Sequence, residues 1–130
     1  MKLVAAALLL REDKVLACQR TKHQSMPLKW EFPGGKIEQG EQPTDALRRE
    51  LEEELGIVAR VGDEVARLKH LYKNGNAVEL RFFLVREFEG EVENRIFADV
   101  QWVERSRLPE YDFLEADLEL VRQIAAGGII

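Results

Sequence analysis

The chain has a single cysteine, Cys18, so no internal disulfide can form and nothing calls for an oxidising compartment. A lone thiol in an apolar stretch reads as a small buried residue. Positive charge is also short. Against 24 Asp and Glu there are only 19 Lys and Arg, a formal net charge of −5. That balance excludes a protein built to wrap a nucleic-acid polymer along a basic stripe. It does not exclude a phosphorylated small molecule, because a bound cation reverses the sign locally. Long hydrophobic runs are missing too. Residues 3–10 are apolar, and Val15-Leu16-Ala17-Cys18 faintly resembles a lipoprotein cleavage site, but Arg11-Glu12-Asp13-Lys14 separates the two. A signal would need an unbroken apolar stretch up to the cleavage site, and the run is too short to span a membrane. The two histidines, His23 and His70, stand apart without metal-site spacing and read as structural.

These absences, with 130 residues and no repeat, linker or low-complexity stretch, predict one domain over residues 1–130. A cytoplasmic protein is expected, a monomer or homodimer with no membrane and no nucleic-acid polymer as partner. Residues 3–10 and 15–20 read as paired strands across a charged turn, and 21–29 as a polar loop. Residues 30–32 form a short extended piece stopped by Pro33-Gly34-Gly35. A helix is expected from about Gln42, with Pro43 at its first position and Gly56 just past its end. Residues 58–61 and 65–72 look extended, Asn74-Gly75-Asn76 looks like a hairpin turn, and 78–86 follows with Leu80, Phe82 and Leu84 on one face. A short strand at 100–103 and an amphipathic helix over 114–126, carrying Leu118, Val121 and Ile124, complete the pattern. Strands mixed with two main helices predict an α/β or α+β sandwich.

The central helix carries the chemistry. At about 100° per residue, Leu47, Leu51 and Leu55 form one apolar stripe, while Glu50, Glu53 and Glu54 form a second stripe beside it. Like charges at such spacings cost a helix a few tenths of a kcal/mol per pair, and more at a core edge. A hard divalent cation turns that cost into binding, since Mg²⁺ takes oxygen ligands and shares them with substrate phosphates. Leu51-Glu52-Glu53-Glu54-Leu55 alone would equally suit a solvated acidic face.

The stretch GGKIEQGEQPTDALRRELEEELGI resembles the Nudix box of the Nudix hydrolases. The box pattern is met at Gly35, Glu41, Arg49, Glu50, Leu51, Glu53, Glu54, Gly56 and Ile57. From average residue usage, a chance match in a chain this long is on the order of 10⁻⁷. The resemblance implies an α/β/α sandwich with a mixed sheet flanked by helices. It implies Mg²⁺-dependent hydrolysis, with Mn²⁺ as the alternative, of a nucleoside diphosphate linked to another group. Carried over by position, Glu50, Glu53, Glu54 and the carbonyl of Gly34 would hold the metal. Glu50 and Glu53 would also be catalytic, and Arg49 and Glu41 would orient the carboxylates.

The first half most resembles the MutT branch, which includes 8-oxo-dGTP and CTP pyrophosphohydrolases, at Gln19-Arg20 and at Trp30-Glu31-Phe32-Pro33-Gly34-Gly35-Lys36. That implies polyphosphate contacts from Arg20 and Lys36, with a plain surface cation as the alternative for each. Some relatives carry another catalytic Glu in the stretch matching residues 98–102. None stands there in this chain, and Asp99 is either its substitute or a surface acid. Ala116-Asp117 matches the base-reading segment, which makes Asp117 either a base reader or a cap of the last helix. As an ionised acid it would accept hydrogen bonds and donate none, favouring CTP, dCTP or an oxidised guanine nucleotide over UTP and dTTP. Phe32, Phe82, Phe83 and Phe113 are the aromatic candidates for the base, each equally suited to the core, and Trp30 and Trp102 read as packing residues. Other nucleoside diphosphate derivatives, such as ADP-ribose or a dinucleotide, and a non-catalytic ligand-binding module are the alternatives.

Overall fold

The computed structural model describes residues 1–130. Its spine is β1 (Lys2–Arg11), the apolar run expected to be buried. It runs parallel to β7 (Ala77–Val85) on one side. On the other it meets β2 (Lys14–Gln19) at its end and β4 (Gly34–Lys36) at its start, both antiparallel. The sheet continues from β2 to β3 (Trp30–Glu31) and β9 (Asp99–Glu104), and from β7 to β6 (Glu64–Leu71). A separate pair joins β5 (Val58–Arg60) to β8 (Glu87–Glu89). The seven-stranded sheet is therefore mixed.

Both faces are covered, which explains why β1 is apolar without alternation. Ala5, Ala7 and Leu9 face α1 (Pro43–Leu55) through Leu47, Leu51 and Leu55. Ala6, Leu8 and Leu10 face α2 (Leu118–Ala125) through Leu120, Val121 and Ile124. Two helices on opposite faces of a mixed sheet give the expected α/β/α sandwich. No helix is long and apolar enough to cross a membrane.

The expected start and stop of α1 are in place. Pro43 occupies the first turn, and Gly56 adopts φ 70°, a left-handed conformation that ends a helix at little cost only with glycine. The hairpin turn also stands: Gly75 N–H donates to the Tyr72 carbonyl at 2.9 Å, and Asn76 N–H to Asn74 Oδ1 at 2.9 Å.

The last helix differs from expectation. Leu114 N–H donates to the Trp30 carbonyl at 2.9 Å, and Trp30 N–H to the Asp112 carbonyl at 2.9 Å, so the chain lies against β3 here. A 3-10 turn, Glu115–Asp117, follows, and α2 begins only at Leu118. The later start turns Leu118 outward, half exposed, and Leu120 takes its place in the core.

Candidate active site

The sheet opens into one large cleft of about 1060 Å³, at the upper end of the range for small-molecule sites. Its floor is the α2-facing side of the sheet, where Val4 and Ala6 of β1 lie beside Leu80 and Phe82 of β7. Gly34, Gly35, Lys36 and Glu54 line one part. Asp117, Ala116 and Leu114 line another, with Arg20, Glu31, Phe32 and Tyr72 also on the walls. The cleft thus collects most residues singled out from sequence, from segments far apart in the chain.

Glu50 and Glu54 are organised around two glycines. Gly34 N–H donates to Glu54 Oε1 at 3.2 Å. A Cβ on Gly35 would stand 2.4 Å from the Glu50 carboxyl carbon, so the carboxyl lies directly against β4 and a side chain at position 35 would push it out of this place. Burial, chiefly, and then Glu50 push the Glu54 carboxyl well above the usual carboxylate range. Two carboxyls crowded at a core edge carry the repulsion that a cation relieves, and the donor set is all oxygen, as Mg²⁺ prefers.

Glu53 is not turned toward this pair. Its side chain is 60% exposed and stands 3.7 Å from Arg49 Nη1. No three acidic, histidine or cysteine side chains stand close enough together to form a complete metal cluster. The stripe of three glutamates is therefore a pair, Glu50 and Glu54, with Glu53 beside it on Arg49.

Arg49 and Glu41 form a brace. The guanidinium donates to both Glu41 oxygens at 3.0 Å, to Glu50 Oε1 at 3.0 Å and to the Lys36 carbonyl at 3.1 Å. A forked donor of this kind fixes direction as well as charge, which a lysine would not do. Hydrogen bonding to Arg49 holds the Glu41 carboxyl below its usual range. Lys36 itself is exposed at the cleft edge.

Arg20 is no free surface cation. Its Nη1 donates to Glu31 Oε1 at 3.0 Å, and its Nε and Nη2 donate to the Ser25 carbonyl and hydroxyl at 2.8 and 3.1 Å. The side chain is only 15% exposed. Glu31 is the residue that sequence reasoning missed. Burial raises its pKa, and Arg20 pulls in the opposite direction. An acid between Trp30 and Phe32, on a strand entering a Pro-Gly-Gly break, was the available signal.

Phe32 packs edge-on to Phe82 at 6.1 Å and tilted to Phe113 at 5.1 Å. Phe32 and Phe82 reach the cleft, whereas Phe83 and Phe113 are not on its walls. Asp117 is 3% exposed and makes no side-chain cap bond to α2, so the cap alternative fails. Burial, and secondarily Glu31, push its carboxyl up to about 8. The expectation of an ionised, accept-only Asp117 is corrected accordingly: below that pH it is a neutral acid with one donor and one acceptor. Tyr72 was not singled out either; it faces the cleft beside His70, whose ring meets it edge-on at 4.6 Å. Asp99 lies outside the cleft and accepts from Val100 N–H at 2.8 Å; Ile96 and Phe97 form the rim instead.

The NUDIX domain family model matches residues 1–124. The chain belongs to the Nudix family. It is similar to an 8-oxo-dGTP diphosphatase of Haemophilus influenzae, 36% identical over 122 residues that cover 93% of this chain and 89% of the relative. A CTP pyrophosphohydrolase of Escherichia coli is 34% identical over 123 residues, covering 95% and 90%. The crystal structure of a MutT NUDIX hydrolase from Burkholderia pseudomallei superposes with a TM-score of 0.84 at 26% identity, covering 94% of this chain and 96% of that one. The Nudix box thus folds here as the short strand β4, the Glu41–Arg49 brace and the carboxylate face of α1.

Proposed function

We propose that this Nudix hydrolase is a Mg²⁺-dependent nucleoside triphosphate pyrophosphohydrolase. Water attacks one phosphorus of the chain, the bridging P–O bond breaks, and a nucleoside monophosphate and pyrophosphate leave. The proposed substrates are CTP, dCTP or an oxidised purine nucleotide such as 8-oxo-dGTP. The observation that carries this reading is one cleft with a glycine–carboxylate loop in one part and a buried acid beside an aromatic wall in another.

Glu50, Glu53, Glu54 and the Gly34 carbonyl would hold the metal, which supplies charge neutralisation on the phosphates and a more acidic bound water. Glu53 reaches the pair by turning from Arg49, a rotation open to an exposed side chain. Arg49 keeps Glu50 aimed at the loop. Lys36 neutralises phosphate charge at the edge, and Arg20, released from Ser25, can do the same deeper in. Phe32 and Phe82 offer apolar surface to the base.

Asp117 reads the base edge in a way that depends on pH. As a neutral acid it matches any edge that sets a donor beside an acceptor. Cytosine offers its amino group beside N3, and 8-oxoguanine offers N7–H beside O6. Unoxidised guanine offers two acceptors at that same N7–O6 edge and leaves one acceptor of the pair opposed, at about 1–3 kcal/mol. Uracil also sets a donor beside an acceptor, so the neutral acid does not reject it. Once ionised, Asp117 loses one contact to either base, facing the uracil O4 or the cytosine N3 with acceptor against acceptor. A panel of nucleotides assayed for pyrophosphate release with Mg²⁺ and with EDTA tests the whole reading. The expected result is metal-dependent release, with KM for CTP and for UTP both rising by roughly tenfold from pH 7 to pH 9 as Asp117 ionises. Asp117→Asn should remove that pH dependence. KM values unchanged between pH 7 and 9 rule out Asp117 as the base reader, and release in EDTA rules out the metal.

A further inference from the structure

Arg95 lies outside the cleft, on the exposed loop between β8 and β9, and the reading above does not use it. Its backbone N–H donates to the Glu54 carbonyl at 3.1 Å. Its Nη1 donates to the Glu52 carbonyl at 3.1 Å. Two residues earlier, Glu93 N–H donates to the Leu55 carbonyl at 2.9 Å. The Glu54 and Leu55 carbonyls belong to the last turn of α1 and have no partner within the helix, while that of Glu52 also accepts the capping Gly56 N–H at 3.0 Å. A cation there also suits the negative end of the helix dipole. Gly56 leaves the space, for a Cβ there would stand 2.7 Å from Arg95 Nη2.

The loop is cross-braced. Arg95 Nε donates to Glu93 Oε2 at 3.1 Å. Asn94 closes on Phe97 with two hydrogen bonds, at 2.9 and 2.8 Å. Ala98 N–H donates to the Gln19 carbonyl on β2 at 2.9 Å. Ile96 and Phe97, next in the chain, form the cleft rim. Arg95 therefore stands between that rim and the helical turn bearing Glu53 and Glu54.

We infer that Arg95 is a positioning residue for the metal-binding carboxylates, fastening the last turn of α1 so that Glu53 and Glu54 keep their places relative to loop 34–36. The inference rests on the proposed metal-dependent reaction. Arg95 need touch neither substrate nor reacting atoms. Leu47, Leu51 and Leu55 hold the apolar side of α1 in the core, so the loss of Arg95 loosens only the outer side of the last turn.

The experiment is an electron paramagnetic resonance titration of Mn²⁺ into the full chain, alongside kcat, KM and Tm, for wild type, Arg95→Ala and Arg95→Lys. Arg95→Ala is expected to weaken Mn²⁺ binding and lower kcat each by about tenfold, as loss of an outer supporting contact does, with KM at saturating metal nearly unchanged. Arg95→Lys, which keeps the charge by the carbonyls, should recover part of both and serves if the alanine variant does not fold. Lower Tm with unchanged Mn²⁺ affinity in both variants overturns the inference and leaves a purely structural arginine. A raised KM with unchanged Mn²⁺ affinity also overturns it, by making Arg95 a substrate contact. Absence of Mn²⁺ binding by the wild type is the separate result that defeats the metal reading and this inference with it.

Discussion

Glu53→Gln is expected to lower kcat by roughly 10²–10³-fold, because a metal's charge stabilisation is worth several kcal/mol and each 1.36 kcal/mol is tenfold. The fold should not notice. The Glu53 side chain is 60% exposed, and its one ionic contact is the longer bond to Arg49 at 3.7 Å. Exposed pairs of this spacing contribute at most about 0.5 kcal/mol. The substitution keeps shape and removes charge, so it separates an electrostatic role from packing. Glu50→Gln would not separate them, since Glu50 also holds Arg49 and lies against Gly35. Steady-state kinetics with Mg²⁺ and a urea melt on the same preparation make the check. Full turnover by Glu53→Gln ends the assignment of Glu53 as a ligand.

Asp117→Asn is expected to stabilise the protein, and by more as pH rises. An unfolded aspartate ionises near 3.8, whereas burial holds Asp117 up to about 8 in the folded chain. Between those values unfolding releases a proton, so raising the pH favours the unfolded state. Below about pH 4 both states are protonated and the residue costs nothing in this respect. Stability is therefore lost progressively from about pH 4 to 8 and levels off above. The shift corresponds to a few kcal/mol at pH 8, and an amide of the same shape removes it. Urea melts of both proteins at pH 5, 6, 7 and 8 should show curves that diverge upward. Parallel curves would mean that Asp117 is ionised throughout, and the pH-dependent reading of the base edge would go with it.

What the sequence made legible was whatever depends on period and spacing. The helix with Pro43 and Gly56 at its ends, the leucine stripe and the hairpin at Gly75 follow from local rules, and the structure has them. The Nudix box led to the family through residues within one short segment. The side-chain directions were not legible. Whether Glu53 joins Glu50 and Glu54 depends on Arg49, which lies on the same helix but is aimed by Glu41 and the Lys36 carbonyl outside it. Arg20 read as a polyphosphate contact, with a plain surface cation as the alternative, and its ties to Ser25 and Glu31 were not visible because these partners meet it only when the loop folds back. The ionisation of Asp117 depends on burial at the junction of β3 and α2, which no local pattern encodes. Leu118 was misplaced for a related reason: hydrogen bonds to Trp30 delay the helix by a turn.

The lone thiol makes the molecule its own reporter. Cys18 is fully buried in the layer between the sheet and α1, and burial, with Glu54 and Glu31 nearby, raises its pKa well above that of a free thiol. A disulfide reagent reacts with thiolate, and the closed molecule offers almost none. Labelling must then wait for the sheet to part from the helix that bears Glu50, Glu53 and Glu54. When reclosing is fast, its rate follows the population of open molecules. A nucleotide that binds only the closed form should slow the labelling in proportion to its occupancy, giving a measure of affinity that needs no turnover.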